Sequence, residues 1–260
     1  MATHNGSRFI EEALASVLRQ TYQNIELLVV DDASSDGTGE IVRQIGGPKL
    51  RLKRNEARLG LTRSLNRGLA LARGEFIARL DDDDVWVGRD KLVKQVGFLK
   101  QHPDVGLVGT QNMVVDERGR EMYRWRVQNK DEAIRRDLLQ RNQFVHSGVL
   151  VRREAMRQAG GYDERRRYAQ DYELWLRIGT KWQLANLPDM WVKQRVNRRG
   201  VTSRHNLAQF GSFLATAFEY RQRYPSFWKN VPVYARELLV NLLPKMVFYK
   251  VGGWRRYFIS

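Results

Sequence analysis

The stretch "NIELLVVDDASSDGT" (Asn24–Thr38) decides the fold. Its aliphatic run from Ile25 to Val30 is too continuous for an exposed, alternating strand and reads as a strand buried on both faces of a parallel sheet. The run ends in two carboxylates, Asp31 and Asp32, and "ASSDGT" (Ala33–Thr38) then supplies turn and helix-cap residues. "GEIVRQIG" reads as the helix that follows, stopped by Gly46-Gly47-Pro48.

Working outward, Phe9, Ile10, Ala13, Leu14, Val17 and Leu18 recur at helical spacing behind the turn Asn5-Gly6-Ser7. Downstream come a short strand "KLRLKRN", a helix over about 60–72, and a strand that begins at Gly74 and ends in Asp81, Asp82, Asp83 and Asp84. Strand and helix alternate three times by Asp84, which predicts a mostly parallel α/β sheet flanked by helices. In such sheets ligands bind beyond the carboxyl ends of the strands, so both acidic clusters fall on one rim.

The rest of the chain reads as a helix near 91–101, a strand "VGLVGTQNMVVD", a turn at Glu117 to Gly119, and strand, short helix and turn across "QFVHSGVLVRREAMRQAGGYDE". A helix at "AQDYELWLRIG" and a strand pair at "WQLANLPDMWVKQRV" follow. Beyond Thr202, Leu207, Phe210, Phe213, Leu214, Ala217 and Phe218 form one helical face.

Composition narrows the function. With 260 residues, 42% of them hydrophobic, the chain buries a real core. Having no cysteine, it forms no disulfide and no thiolate metal site, and it suits a reducing compartment. The formal net charge is +16, and residues 190–260 carry 13 Lys/Arg against 2 Asp/Glu. That block suggests an anionic partner, a nucleic acid or an acidic membrane surface. No run approaches the ~18 apolar residues that span a bilayer, and no signal-peptide layout is seen, so the expected location is cytoplasmic, peripheral on the inner face of the membrane.

Four adjacent aspartates repel one another unless solvated or neutralised by a cation. At a helix N-terminus such a run can simply favour the dipole; at the end of a buried strand beside a second acidic strand end, it reads as half of a cation site. Hard divalent ions such as Mg²⁺ or Mn²⁺ take carboxylate oxygens and keep positions for water or substrate phosphates. Asp171 in "QDYELWLR" reads equally as a helix cap or as a general base.

The segments "THNGSRFIEEALASVLRQTYQNIELLVVDDASSDGT" and "GLTRSLNRGLALARGEFIARLDDDDVW" resemble the family 2 nucleotide-diphospho-sugar glycosyltransferases, inverting enzymes of GT-A fold, and the resemblance runs over about 3–201. It implies that Thr3, His4 and Asn5 cradle the nucleotide base, in place of a more usual Thr-Tyr-Asn. It implies that Asp32 hydrogen-bonds the base, that Asp81, Asp82 and Asp83 form the DxD region, and that Asp83 binds the Mg²⁺ or Mn²⁺ bridging the diphosphate. Asp171 matches the general base, with Gln170 where a second acid is common. His146 resembles a position on the acceptor side, and Arg195 and Arg199 are candidates for diphosphate contacts, with Asn197 replacing a frequent His. Solvated arginines and a packed core histidine are the alternatives for these three.

The same resemblance implies a nucleotide-sugar donor, UDP-linked by preference, and a saccharide or lipid-linked acceptor in surface polysaccharide or glycolipid synthesis. It carries no expectation of nucleic acid. Family members begin with an apolar strand before the Thr-Tyr-Asn position, so the first strand is expected to be truncated here. A catalytically inactive sugar-nucleotide binder is the alternative that this expectation favours. A basic nucleic-acid-binding module would explain the basic block and leave the acidic strand ends unexplained. The expected organisation is a GT-A domain at 1–203 and a basic, aromatic helical extension at 204–260.

Overall fold

The computed structural model describes residues 1–196 and 206–242. Its first half is the parallel unit read from the sequence. Strands β1 (Ala2–Thr3), β2 (Leu27–Asp31) and β3 (Leu50–Arg54) pair in parallel in the order β1-β2-β3. Helices α1 (Ile10–Leu18), α2 (Thr38–Ile45) and α3 (Leu61–Leu71) connect them to each other and onward. Each follows a loop at the carboxyl end of a strand.

The second half is mixed. β4 (Phe76–Ala78), β5 (Val85–Trp86), β6 (Val105–Val115), β8 (Leu150–Arg152) and β9 (Gln183–Arg195) run in the order β4-β8-β6-β9-β5, and β7 (Glu121–Trp125) pairs with β6. β6 and β9 are parallel, and the other pairs of this sheet are antiparallel. Helices α4 (Lys91–Gln101), α5 (Asp131–Asp137), α6 (Arg153–Ala159) and α7 (Gln170–Gly179) lie between these strands in sequence.

One expectation is met and another corrected. The first strand is short, two residues: Ala2 and Thr3 lie in register with Val30 and Asp31, and the Met1 α-amino group donates to Leu28 O at 2.9 Å. Beside this stub an apolar cavity of about 130 Å³ is lined by Met1, Leu28, Leu65, Ile77 and Leu80 among others. Burial, helped by the Arg79 guanidinium, pushes the Met1 α-amino group down to about 5. The correction concerns "WQLANLPDMWVKQRV", which forms one long strand and not a pair. Its register against β6 shifts near Thr110 and Gln111, which absorbs Pro188 as a bulge, and the Thr110 hydroxyl bonds Asp189 O there.

Helices α8 (Asn206–Glu219) and α9 (Val231–Leu242) close the described chain. Phe210, Ala217, Tyr224, Phe227 and Tyr234 share one buried cluster with Tyr172, Leu174 and Trp175 of α7. The C-terminal helices therefore complete the core beneath α7. Leu243, Pro244 and the basic residues from Lys245 to Arg256 lie outside the described residues.

One buried charge-bearing residue belongs to stability rather than to the site. Lys91 is 0% exposed, donates to Gln95 Oε1 at 2.8 Å and lies 4.0 Å from the Trp86 ring centroid. Burial drives its amine well below the usual lysine range. The unfolded chain then binds a proton that the fold lacks, so this group's contribution to stability falls as pH drops from about 10 towards neutrality. Lys91→Met is expected to raise stability at pH 7 by about 1–3 kcal/mol, read as a higher melting temperature. A lower melting temperature at pH 7 would overturn this account.

Candidate active site

The rim begins where β1 and β2 end. The loop after β1 is laced to the loop after β2: Asn5 N–H donates to Ser34 Oγ at 3.0 Å, Ser35 N–H to Asn5 Oδ1 at 2.8 Å and Ser7 N–H to Asp36 Oδ2 at 3.2 Å. The His4 ring donates through Nδ1 to Asp32 O at 2.8 Å, so it is held at the rim between the two strand ends. Gly6 has no freedom to be anything larger. A Cβ there would lie 2.3 Å from Asp82 Oδ2 and 2.6 Å from Thr3 Oγ1.

Asp32 is nearly inaccessible, and its carboxylate receives Asn55 Nδ2–H at 2.7 Å, Leu59 N–H at 2.8 Å and Gly60 N–H at 2.8 Å. Burial pushes its acidity down, but these donors outweigh that and hold the carboxyl below its usual range. Asp32 thus shapes the 55–60 loop. The Ser64 hydroxyl is a fourth hydrogen-bond partner of this carboxylate.

The four aspartates after β4 divide into different environments. Asp81 accepts from Arg79 Nη2 at 2.6 Å and lies 3.4 Å from His146 Nδ1, and its own N–H donates to Ser147 Oγ at 3.0 Å. Burial works against its charge, yet His146 and Arg79 hold it well below the usual carboxylate range. Asp82 accepts from the Thr3 hydroxyl, and burial together with Asp81 pushes it up to about 6. Asp83 is pushed up to about 7 by burial and by Asp82 and Asp81. Asp84 is buried and accepts from the Ser147 hydroxyl and from Arg195 N–H at 2.8 Å, so it pins the end of β9 to the rim. Burial and its acidic neighbours drive its acidity far down.

Arg195 lies behind Asp83. It stacks over Phe9 at 4.4 Å and donates to Asp83 O at 3.0 Å, Glu117 O at 3.2 Å and Glu12 Oε2 at 2.7 Å. Its guanidinium is engaged with protein on three sides, and it orients Asp83 through the backbone. Asn197 and Arg199 lie outside the described residues.

The other part of the site is built on α7. Ala169, not Asp171, occupies the N-cap position, in the left-handed region at φ 54°, and it makes no side-chain cap bond. The cap reading of Asp171 is therefore corrected. It stands in the first turn, where the helix dipole favours a carboxylate, and Asn142 Nδ2 donates to its Oδ2 at 3.3 Å.

His146 joins the acidic strand end to α7. In a 3₁₀ turn at His146–Gly148, its Nε2 accepts from Arg79 Nε at 3.0 Å and meets Tyr162 Oη at 2.8 Å. Its ring centroid lies 6.1 Å from that of Trp175, one turn after Asp171. An arginine that donates to Nε2 leaves the proton on Nδ1, the nitrogen facing Asp81. Tyr162, Asn142, Ser147 and Glu12 escape a reading of motifs. Tyr162 and Asn142 carry no pattern beyond residue type, and the Glu12 to Arg195 contact crosses almost the whole domain.

The donor set suits a hard divalent cation: it is all carboxylate, at the edge of a partly buried rim. Among the described residues no three such side chains are already gathered into a cage.

The site thus combines a partly parallel α/β sheet with acidic strand ends and a helix whose first turn carries Asp171. The glycosyl transferase family 2 model matches residues 1–204, and the chain belongs to that family. It is 36% identical over 183 residues to the putative glycosyltransferase EpsE of Bacillus subtilis, a match that covers 68% of this chain and 64% of EpsE. Over 99 residues, 38% of this chain and 39% of the relative, it is 40% identical to the Escherichia coli UDP-Glc:alpha-D-GlcNAc-diphosphoundecaprenol beta-1,3-glucosyltransferase WfgD. The structure of the mannosyltransferase PcManGT from Pyrobaculum calidifontis, in complex with GDP-Man and Mn²⁺, superposes with a TM-score of 0.65 at 24% identity, covering 93% of this chain and 68% of that one. The fold is thus that of GT-A glycosyltransferases.

Proposed function

We propose that this protein transfers a sugar from a nucleoside diphosphate donor, UDP-linked by preference, to a hydroxyl of a lipid-linked or saccharide acceptor, with inversion. The observation that carries the reading is His146, which ties the donor-side carboxylates to α7 and so to Asp171. Thr3, His4, Asn5 and Asp32 bind the base and ribose, with Asp81 and Asp82 beside them. Asp83, oriented by Arg195 through its backbone, holds Mg²⁺ or Mn²⁺, as the Mn²⁺ in PcManGT supports. When bound there, such an ion would supply positive charge to offset that of the leaving diphosphate.

Asp171 takes the proton of the acceptor hydroxyl as its oxygen attacks the anomeric carbon. The bond from that carbon to the diphosphate oxygen breaks on the opposite face, so a single displacement inverts the configuration. Asn142 keeps the carboxylate turned towards the acceptor. The lipid diphosphate named for WfgD supports an acceptor presented at a membrane, where the protein would sit peripherally and build surface polysaccharide or glycolipid.

The test is a panel of UDP-Glc, UDP-Gal, UDP-GlcNAc and GDP-Man with MnCl₂, offered with diphospholipid-linked saccharides. Transfer or slow donor hydrolysis that a chelator abolishes is expected, and NMR of the product should show inverted anomeric configuration. Retained configuration, or no turnover of any donor, would overturn the reading.

A further inference from the structure

We propose that the outward face of α9, with Trp228 and Phe218 beside it, docks on an anionic lipid bilayer. α9 exposes aliphatic side chains that a surface helix ordinarily buries. Its inward positions are Tyr234, whose hydroxyl donates to Leu139 O at 2.6 Å, and Glu237. Its outward positions are Val231, Leu238 and Leu239, the last 64% exposed. Trp228, on the connection from α8, is 70% exposed and stands edge-on to Phe227 at 5.2 Å. Phe218 is exposed near the end of α8 with Arg221 over its ring at 3.8 Å.

The charges around this apolar face that have no ion-pair partner among the described residues are of one sign. Arg221, Arg223 and Lys229 lie on the connection, and none of them pairs with a carboxylate among the described residues. The two acids of 206–242, Glu219 and Glu237, already pair with Arg166 and Arg236. Exposed tryptophan, leucines and cations on one element suit the boundary between acyl chains and anionic headgroups. Among the described residues no helix is long and apolar enough to cross a membrane, so the contact is with the surface.

The docking face is joined to the catalytic helix. Tyr220 Oη donates to Glu173 Oε1 at 2.8 Å, Arg166 bridges to Thr216 at 2.8 Å and Glu219 at 2.5 Å, and Tyr172 stacks on Phe213 at 4.7 Å. A bilayer held by α9 therefore has a set position relative to Asp171. This inference rests on the reading of a membrane-presented acceptor, and it adds which face meets the membrane.

The experiment is co-sedimentation of the full chain with vesicles of phosphatidylcholine alone and of phosphatidylcholine with about 30% phosphatidylglycerol, at low and high salt. Binding to the anionic vesicles is expected, weakening with salt. In the double variants Trp228→Glu/Leu239→Glu and Arg223→Glu/Lys229→Glu it should fall at least tenfold, with melting temperature and donor hydrolysis in solution unchanged. Because the charge-reversal pair is fully exposed, it tests the face even if the apolar pair fails to fold. Absent vesicle binding, binding that both variants retain, or a wild-type dimer in sedimentation velocity that the variants dissociate would overturn the proposal. Loss of all donor turnover with vesicle binding intact would instead sink the transferase reading and leave this face standing.

Discussion

Asp171→Asn is expected to lower kcat for sugar transfer by about 10²–10⁴-fold, the usual contribution of a positioned general base. The substitution keeps the size of the side chain and its contact with Asn142, and it cannot cost a cap bond because Ala169 holds that position without one. Stability should hold within about 0.5 kcal/mol, as for a change that touches no core packing. Donor affinity should hold too, since the donor-side carboxylates stand on other elements. The measurement is a pair of assays, transfer rate and donor titration by calorimetry. If Asp171→Asn keeps more than a tenth of the rate, or loses donor binding in parallel, Asp171 does not act on the acceptor proton.

Asp83→Asn is expected to abolish metal-dependent transfer while making the metal-free protein more stable at alkaline pH. Burial and the charges of Asp82 and Asp81 push Asp83 up to about 7, whereas the unfolded chain titrates near the ordinary aspartate value. Between those two values the fold holds a proton that the unfolded chain has lost. Its stabilising contribution is therefore complete below about pH 4 and disappears as pH rises through about 7. Above that, the wild type carries the repulsion and the Asp83→Asn variant does not. After discounting for the contact of this carboxylate with water, the gain is about 1–2 kcal/mol at pH 8, or about 3–6 °C in melting temperature. MnCl₂ should restore the wild type and leave Asp83→Asn unmoved. Equal melting temperatures for the two proteins from pH 5 to pH 8 would remove Asp83 as the neutralised member of the quartet.

The quartet shows why a motif is read more easily than the duties inside it. Asp81, Asp82, Asp83 and Asp84 are one run in the sequence and four environments in space. Asp81 is paired with Arg79 and His146, Asp82 with Thr3, Asp84 with Ser147 and Arg195, and Asp83 faces the rim with its backbone held by Arg195. Their partners come from β1, from the turn after residue 145 and from the end of β9. No local pattern encodes those approaches, because each depends on where separate strands end.

Asp32 differs in the same way. Its position after a buried strand marks it as a rim carboxylate, yet two of its donors are the main-chain N–H groups of Leu59 and Gly60. Backbone donors leave no trace in residue type. Arg195 likewise invites a phosphate reading on chemistry alone, whereas only packing shows its guanidinium held by Glu12, Phe9 and two carbonyls.

The sequence by itself determined the alternation of strands and helices, the shared rim of its acidic strand ends and the candidate base at the start of α7. Those features depend on the period of apolar residues and on residues adjacent in the chain. The tertiary structure decided which aspartate keeps its charge, that His146 connects the acidic strand end to α7, and that α8 and α9 complete the core under α7 while α9 turns an apolar face outward. Each of these is set by contacts between residues far apart in sequence, where burial and the sum of nearby charges, not residue identity, fix protonation, orientation and exposure.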